Sequence, residues 1–157
     1  RQARGYGVDI KDANVLACVK KGLNVIQNDL DAGLSGFEAD SFDFVILSQT
    51  LQAMRHIEQV VAEMLRVGKQ AIVAFPNFGY WRHRVQVLQG HMPVSPGLPY
   101  QWYDTPNIHL CTVKDFESFC AQRGIRILER VVMEGERKSG FLPNIRGSVA
   151  AYRSERS

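Results

Sequence analysis

Two apolar runs flanking one amphipathic period constrain this chain more than any other feature. Phe42-Asp43-Phe44-Val45-Ile46-Leu47-Ser48 has the composition of a buried strand. Gln70-Ala71-Ile72-Val73-Ala74-Phe75 is a second such strand, and Pro76 terminates it. Between them, Ile57, Val60, Val61, Met64 and Leu65 fall on one face of a helix running from about Ile57 to Val67, which stops at Gly68. Strands alternating with helices require an α/β layer architecture. The pattern extends upstream. Tyr6-Gly7-Val8-Asp9-Ile10 reads as a short buried strand, and Asp12 as the cap of a helix with Val15, Leu16 and Val19 on one stripe. That helix ends at Lys20-Lys21-Gly22, with cations and a C-terminal glycine. Leu23 to Asn28 is the next strand, finishing at Asp29-Leu30-Asp31.

The downstream part has a different texture. Between Phe75 and Tyr103 lie seven of the fifteen aromatic residues and four of the six prolines. Tyr80 to Leu88 reads as helical, but Gly90 to Thr105 has no period and reads as a long ordered loop, which in a compact domain is usually a lid or a binding surface. Thr112 then caps a helix with Asp115 at its third position and Phe116, Phe119 and Cys120 facing inward to Gly124. Ile125 to Met133 and Ser148 to Tyr152 are two strands with no helix-like segment between them, so an antiparallel hairpin is expected. The fold expected is a single α/β domain over 1–157, a doubly wound and mostly parallel sheet closed by that hairpin. Residues 78–111 form an aromatic lid or interface insertion within it.

Composition excludes several classes. With 45% hydrophobic and 22% charged residues the chain is neither disordered nor a disulfide scaffold. A net charge of +3 is spread among acids, and its one dense cluster, Arg82-His83-Arg84, reads as a solvated helix face, so no nucleic-acid partner is expected. Cys18, Cys111 and Cys120 are far apart and lack CxxC spacing, so neither a metal site nor thiol redox chemistry is expected. No apolar run reaches the roughly 20 residues that span a bilayer. A soluble cytoplasmic protein without membrane attachment is the expectation.

Sheets of this kind bind ligands at the carboxyl ends of their strands. The residues there are Asp9-Ile10, Asp29-Leu30, Ser48-Gln49-Thr50 and Pro76-Asn77. Asp9 either accepts the two hydroxyls of a ribose or caps the turn that follows it. Asp29 can accept from an exocyclic adenine amine, with Ile10 and Leu30 offering apolar faces to the ring. The repetition of acid plus aliphatic residue after successive strands favours the nucleoside reading.

The stretch from Phe42 to Asn77, with Glu63-Met64-Leu65-Arg66-Val67-Gly68 within it, resembles class I S-adenosylmethionine-dependent methyltransferases. Three longer segments are similar to the bacterial methionine-biosynthesis family MetW: Val45 to Gln52, Phe75 to Trp81, and Leu98-Pro99-Tyr100-Gln101-Trp102-Tyr103-Asp104-Thr105-Pro106-Asn107-Ile108-His109-Leu110-Cys111-Thr112. The resemblance implies that Asp9 is the ribose acid, Ile10 a ring contact, Asp29 and Leu30 the adenine contacts, and Ser48 and Gln49 cofactor-facing residues. The implied cofactor is S-adenosylmethionine or S-adenosylhomocysteine, and the implied partner is homoserine O-acyltransferase. The larger family's first strand and glycine-rich turn would precede Arg1, so the expectation is a chain lacking about 30 to 40 residues that would hold the methionine end. Gln49, Thr50 and Gln52 stand where many active members carry a titratable group. That favours an accessory subunit over an active small-molecule methyltransferase, although in-line methyl transfer depends mainly on positioning. Tyr80, Trp81, Tyr100, Trp102 and Tyr103 form a substrate lid, a partner interface, or core beneath the loop.

Overall fold

The computed structural model describes residues 4–157. Its elements run β1 (Gly7–Asp9), α1 (Asp12–Lys20), β2 (Val25–Gln27), β3 (Phe42–Ser48), α2 (Ile57–Val67), β4 (Gly68–Pro76), α3 (Trp81–Leu88), α4 (Val113–Gln122), β5 (Ile125–Glu134), β6 (Arg137–Lys138), α5 (Pro143–Arg146) and β7 (Val149–Arg156). The five-stranded sheet has the order β3-β4-β7-β5-β6, while β1 and β2 form a separate parallel pair. β3 and β4 are parallel. β7 lies between β4 and β5 and runs against both, so the late antiparallel strand is an interior strand.

The sheet is built by side-chain alternation. Val45 and Leu47 of β3, Ala71, Val73 and Phe75 of β4, and Ala150 and Tyr152 of β7 point to one face. There they meet Val60, Val61, Met64 and Leu65 of α2 and Val113, Phe116 and Cys120 of α4. Tyr152 stacks 6.0 Å from Phe75 and packs 4.7 Å from Phe116, and its hydroxyl donates to Glu117 at 3.0 Å. Burial and the Glu117 carboxylate push the Tyr152 phenol well above its ordinary pKa. Burial also raises the thiols of Cys111 and Cys120, to about 12 and about 11, which leaves both protonated and unreactive.

The α2 boundaries agree with the sequence reading, and Gly68 is required at its end. A Cβ there would lie 2.6 Å from Val45 Cγ2, so the turn from helix to strand packs directly on β3. The cap of α4 is also as read: Thr112 Oγ1 accepts from Asp115 N, and Asp115 Oδ2 accepts from Thr112 N.

Three expectations are corrected. Asp12 is the first residue of α1 rather than its cap; Lys11 holds the cap position, and Asp12 Oδ1 instead receives Gln27 Nε2. The apolar stripe of α1 is not buried, since Leu16 and Val19 are both exposed. A short helix does separate the last two long strands: Pro143 fixes the first turn of α5 after Leu142, which takes a left-handed conformation at φ 47°. Phe44 and Ile46, on the face of β3 away from α2 and α4, are likewise exposed, Ile46 at 65%. Tyr6 meets Phe42 edge-on at 6.3 Å.

Candidate functional site

The carboxyl ends of β1 to β4 carry the candidate residues, and hydrogen bonds tie the successive turns together. After β1, Asp9 Oδ1 accepts from Lys11 N at 2.8 Å and Oδ2 from Asn14 Nδ2 at 2.9 Å. These bonds hold the Asp9 carboxyl below its ordinary pKa, so it is ionised at neutral pH. The turn-capping alternative for Asp9 is therefore realised. A carboxylate has about four acceptor sites, so two donors do not exhaust it. Ile10 beside it is exposed.

After β2, Asp29 Oδ1 accepts from Asp31 N at 2.9 Å and closes a single 3-10 turn over Leu30–Ala32. Asp29 Oδ2 has no protein partner among the described residues. Leu30 packs partly against the core, leaving only part of its side chain to a ligand. Asn28 N donates to Asp9 O at 3.2 Å, which sets the first two turns side by side. Asp31 links them to the third. Its Oδ1 accepts from Arg55 N at 2.9 Å and His56 N at 3.1 Å. The sequence shows the acid at Asp31, but its partners are backbone groups 24 and 25 residues away and leave no trace in composition.

After β3, Ser48 and Gln49 are both exposed, and Gln49 turns the chain in the left-handed region at φ 55°. Asp9, Asp29, Ser48 and Gln49 thus lie on consecutive turns that the Asn28 and Asp31 bonds connect. An ionised Asp9 with spare acceptor capacity, the uncommitted Asp29 Oδ2 and the exposed Ile10 side chain fit the ribose and adenine of a nucleoside.

After β4, Asn77 is fully buried and holds three segments. Its Nδ2 donates to Asn144 O at 3.1 Å and Gly147 O at 2.7 Å, while Oδ1 accepts from Gly79 N at 3.0 Å and Val113 N at 3.3 Å. Asn77 O accepts from His83 Nδ1, which leaves His83 Nε2 to accept a hydrogen bond from the Ser95 hydroxyl at 2.9 Å. His83 is buried at 1% exposure and desolvation lowers its pKa, so it is neutral. The reading of Arg82-His83-Arg84 as a solvated face is corrected. His83 faces inward, and Arg84 Nε donates to Gly79 O at 2.7 Å.

The aromatic residues divide. Tyr80 is buried, and its hydroxyl donates to Glu134 at 3.4 Å. Tyr80 and Tyr100 line a cavity of about 800 Å³, together with Gln49. Trp81, Trp102 and Tyr103 are exposed and lie outside the cavity wall, with Trp102 at 73%. The segment from Gln89 to Thr112 has no helix or strand beyond one bridge between Ser95 and Leu98. It is fastened at Gln52 O, which accepts from both Ile108 N and His109 N. Among the described residues no three His, Cys, Asp or Glu side chains converge as metal ligands, and no helix is long and apolar enough to cross a membrane.

A mixed α/β sheet flanked by helices is the layout of the methyltransferase-like Rossmann-type proteins. Solved structures share it. A possible histamine N-methyltransferase from Thermotoga maritima matches at TM-score 0.69 and 14% identity, covering 97% of this chain and 72% of its own. A magnesium protoporphyrin IX methyltransferase from Synechocystis, solved with S-adenosylhomocysteine bound, matches at TM-score 0.62 and 16% identity, covering 99% of this chain and 65% of its own.

Within that fold class, the family described as Methionine biosynthesis protein MetW matches residues 1–154, and the chain belongs to it. A bifunctional methionine biosynthesis protein MetXA/MetW from Rhodopirellula baltica is 40% identical over 139 residues, 85% of this chain. The chain spans 22% of that relative's length.

Proposed function

We propose that the protein is an accessory subunit of methionine biosynthesis that supports homoserine O-acyltransferase and binds the nucleoside part of S-adenosylmethionine or S-adenosylhomocysteine. The observation that carries the partner is the joining of MetXA and MetW in one relative, with the MetXA part read as the acyltransferase. Two proteins that are fused in one organism commonly act together in another.

The post-strand chemistry supports an accessory role. Gln49, Thr50 and Gln52 do not titrate, and the His83 ring nitrogens are hydrogen-bonded to Asn77 O and Ser95 Oγ. Asp9 would hold the ribose hydroxyls and Asp29 Oδ2 the adenine amine, with Ile10 and the exposed part of Leu30 against the ring. Ser48 and Gln49 would face the same ligand. The cofactor supplies an electrophilic methyl group in its sulfonium form. As a methionine-derived cofactor it would report pathway output to the acyltransferase.

The exposed Trp81, Trp102 and Tyr103 suit the partner surface, because large aromatic side chains dominate interface energetics. Tyr100, half exposed on the cavity rim, would join them.

Calorimetry on the full-length protein tests the nucleoside reading. Saturable binding of S-adenosylhomocysteine is expected, weakened about tenfold or more by Asp9→Ala through loss of charge-assisted hydrogen bonds. No heat of binding, or equal affinity in the variant, removes the assignment. A radiolabelled methyl donor incubated with bacterial extract should yield no labelled product, whereas labelling would establish an active methyltransferase.

A further inference from the structure

We infer that α3 is a recognition helix, which docks an outward-facing apolar stripe into a carboxylate-rimmed apolar groove on a partner protein. A surface helix ordinarily turns its apolar side to the core. α3 does the reverse. Its inward contacts are polar: buried His83 is bonded to Asn77 O and Ser95 Oγ, and Gln86 accepts from Val94 N at 2.9 Å and donates to Val94 O at 3.2 Å. Arg84 Nε fastens the first turn to Gly79 O at 2.7 Å. Trp81, Val85 and Leu88, spaced i, i+4 and i+7, share the other side. All three are exposed, Leu88 at 86%. Hydrogen bonds thus hold the helix in place and leave its apolar stripe to solvent.

Charge selects the occupant. At about 3.6 residues per turn, Arg82 falls on one side of the stripe and Arg84 on the other. Both are exposed, and neither pairs with a carboxylate among the described residues. Arg82 lies 5.4 Å from the Trp81 ring centroid, which orients its guanidinium beside the stripe. Asp104 is the one acid between Trp81 and Leu110, and its Oδ1 already accepts from Gln101 N at 2.8 Å. A second copy of this chain is a poor occupant, because like-charged flanks would meet across the stripe. A bilayer is a poor one too: eight residues make a helix of about 12 Å, which buries little of the apolar area on which adsorption depends. An apolar groove rimmed by Asp or Glu takes both the stripe and the guanidinium groups. Arg82 and Tyr100 border the same cavity, so α3 adjoins the loop that carries Trp102 and Tyr103. With the accessory role proposed above, on which this assignment rests, the groove belongs to the acyltransferase.

Biolayer interferometry of the full-length protein against immobilised homoserine O-acyltransferase tests the assignment. Leu88→Ala and Arg82→Glu, both at exposed positions, should each weaken association about tenfold or more with the melting temperature unchanged. Lys20→Glu on α1 makes the same charge change at another exposed position and should leave affinity within about twofold. Raising potassium chloride from about 50 to about 300 mM should weaken the parent more than it weakens Arg82→Gln. A parent that binds while Leu88→Ala and Arg82→Glu bind equally well overturns the assignment and leaves the accessory role standing. A parent that does not bind the enzyme removes both. Light scattering that finds a dimer dissolved by Leu88→Ala, or phosphatidylserine vesicles that retain the parent and release Leu88→Ala, also overturns it by giving the stripe a different occupant.

Discussion

Replacing Asn77 by Ala should remove a large part of this protein's stability. The side chain is fully buried and makes four hydrogen bonds to backbone groups of three separate segments. Each bond contributes about 0.5–1.5 kcal/mol net, and each buried backbone group left without a partner costs about 1–3 kcal/mol. Some relaxation and water entry will offset part of this, so the expected loss is about 4 kcal/mol. Urea unfolding of the full-length protein measures it as a fall in midpoint. Asn77→Asp separates the hydrogen-bond account from simple packing. It keeps the acceptor for Gly79 N and Val113 N but turns a carboxylate oxygen toward Asn144 O and Gly147 O. Its folded-state pKa should rise above that of an unfolded aspartate, so the variant should regain stability as pH falls toward the carboxylate range. A loss below about 1 kcal/mol for Asn77→Ala, or an Asp variant with the same pH dependence as the parent, would refute the reasoning.

Three further outcomes follow from the packing. Gly147→Ala places a Cβ 1.9 Å from Val132 Cγ1 and 2.8 Å from Pro143 O; it should cost about 2–3 kcal/mol, and a double-mutant cycle with Val132→Ala should show coupling of about 1 kcal/mol or more. Thr112→Ala removes the cap of α4 and should cost about 1 kcal/mol by chemical denaturation. His83 has its folded pKa held below the ordinary 6.5 by desolvation, so its contribution is intact above that value and declines as pH falls below it. The melting temperature should drop on acidification through this window, and less steeply in His83→Gln.

Elements carried by periodicity were legible in the sequence. α2 and β3 stand where the alternation and the helical stripe put them, because Val60, Val61, Met64 and Leu65 are buried against the same sheet face as Leu47 and Val73. The capping box at Thr112 was equally readable, since its partners lie three residues apart. Features set by tertiary context were not. The stripe of α1 predicts burial, yet Leu16 and Val19 are exposed, because helical spacing says which residues share a face and not what covers it. α5 was hidden by its brevity, and Asn77 and Asp31 reveal their roles only when distant backbone groups arrive. In the candidate site, Asp9 illustrates the same limit. Its position at a strand end was plain, but the bonds from Lys11 and Asn14 that orient it are visible only in the fold. Tyr80 and Trp81 are adjacent in sequence, and α3 turns one into the core and the other to the surface.

Association with homoserine O-acyltransferase is the most direct test of the proposed function. Full-length protein co-expressed with that enzyme should elute with it as one species in size-exclusion chromatography with light scattering, and the enzyme's acylation rate should rise in the complex. Trp102→Ala with Tyr103→Ala, both at exposed positions, should weaken the association by about tenfold or more without altering the fold. Separate elution of the two proteins, with an acylation rate unchanged by adding this one, would contradict the account.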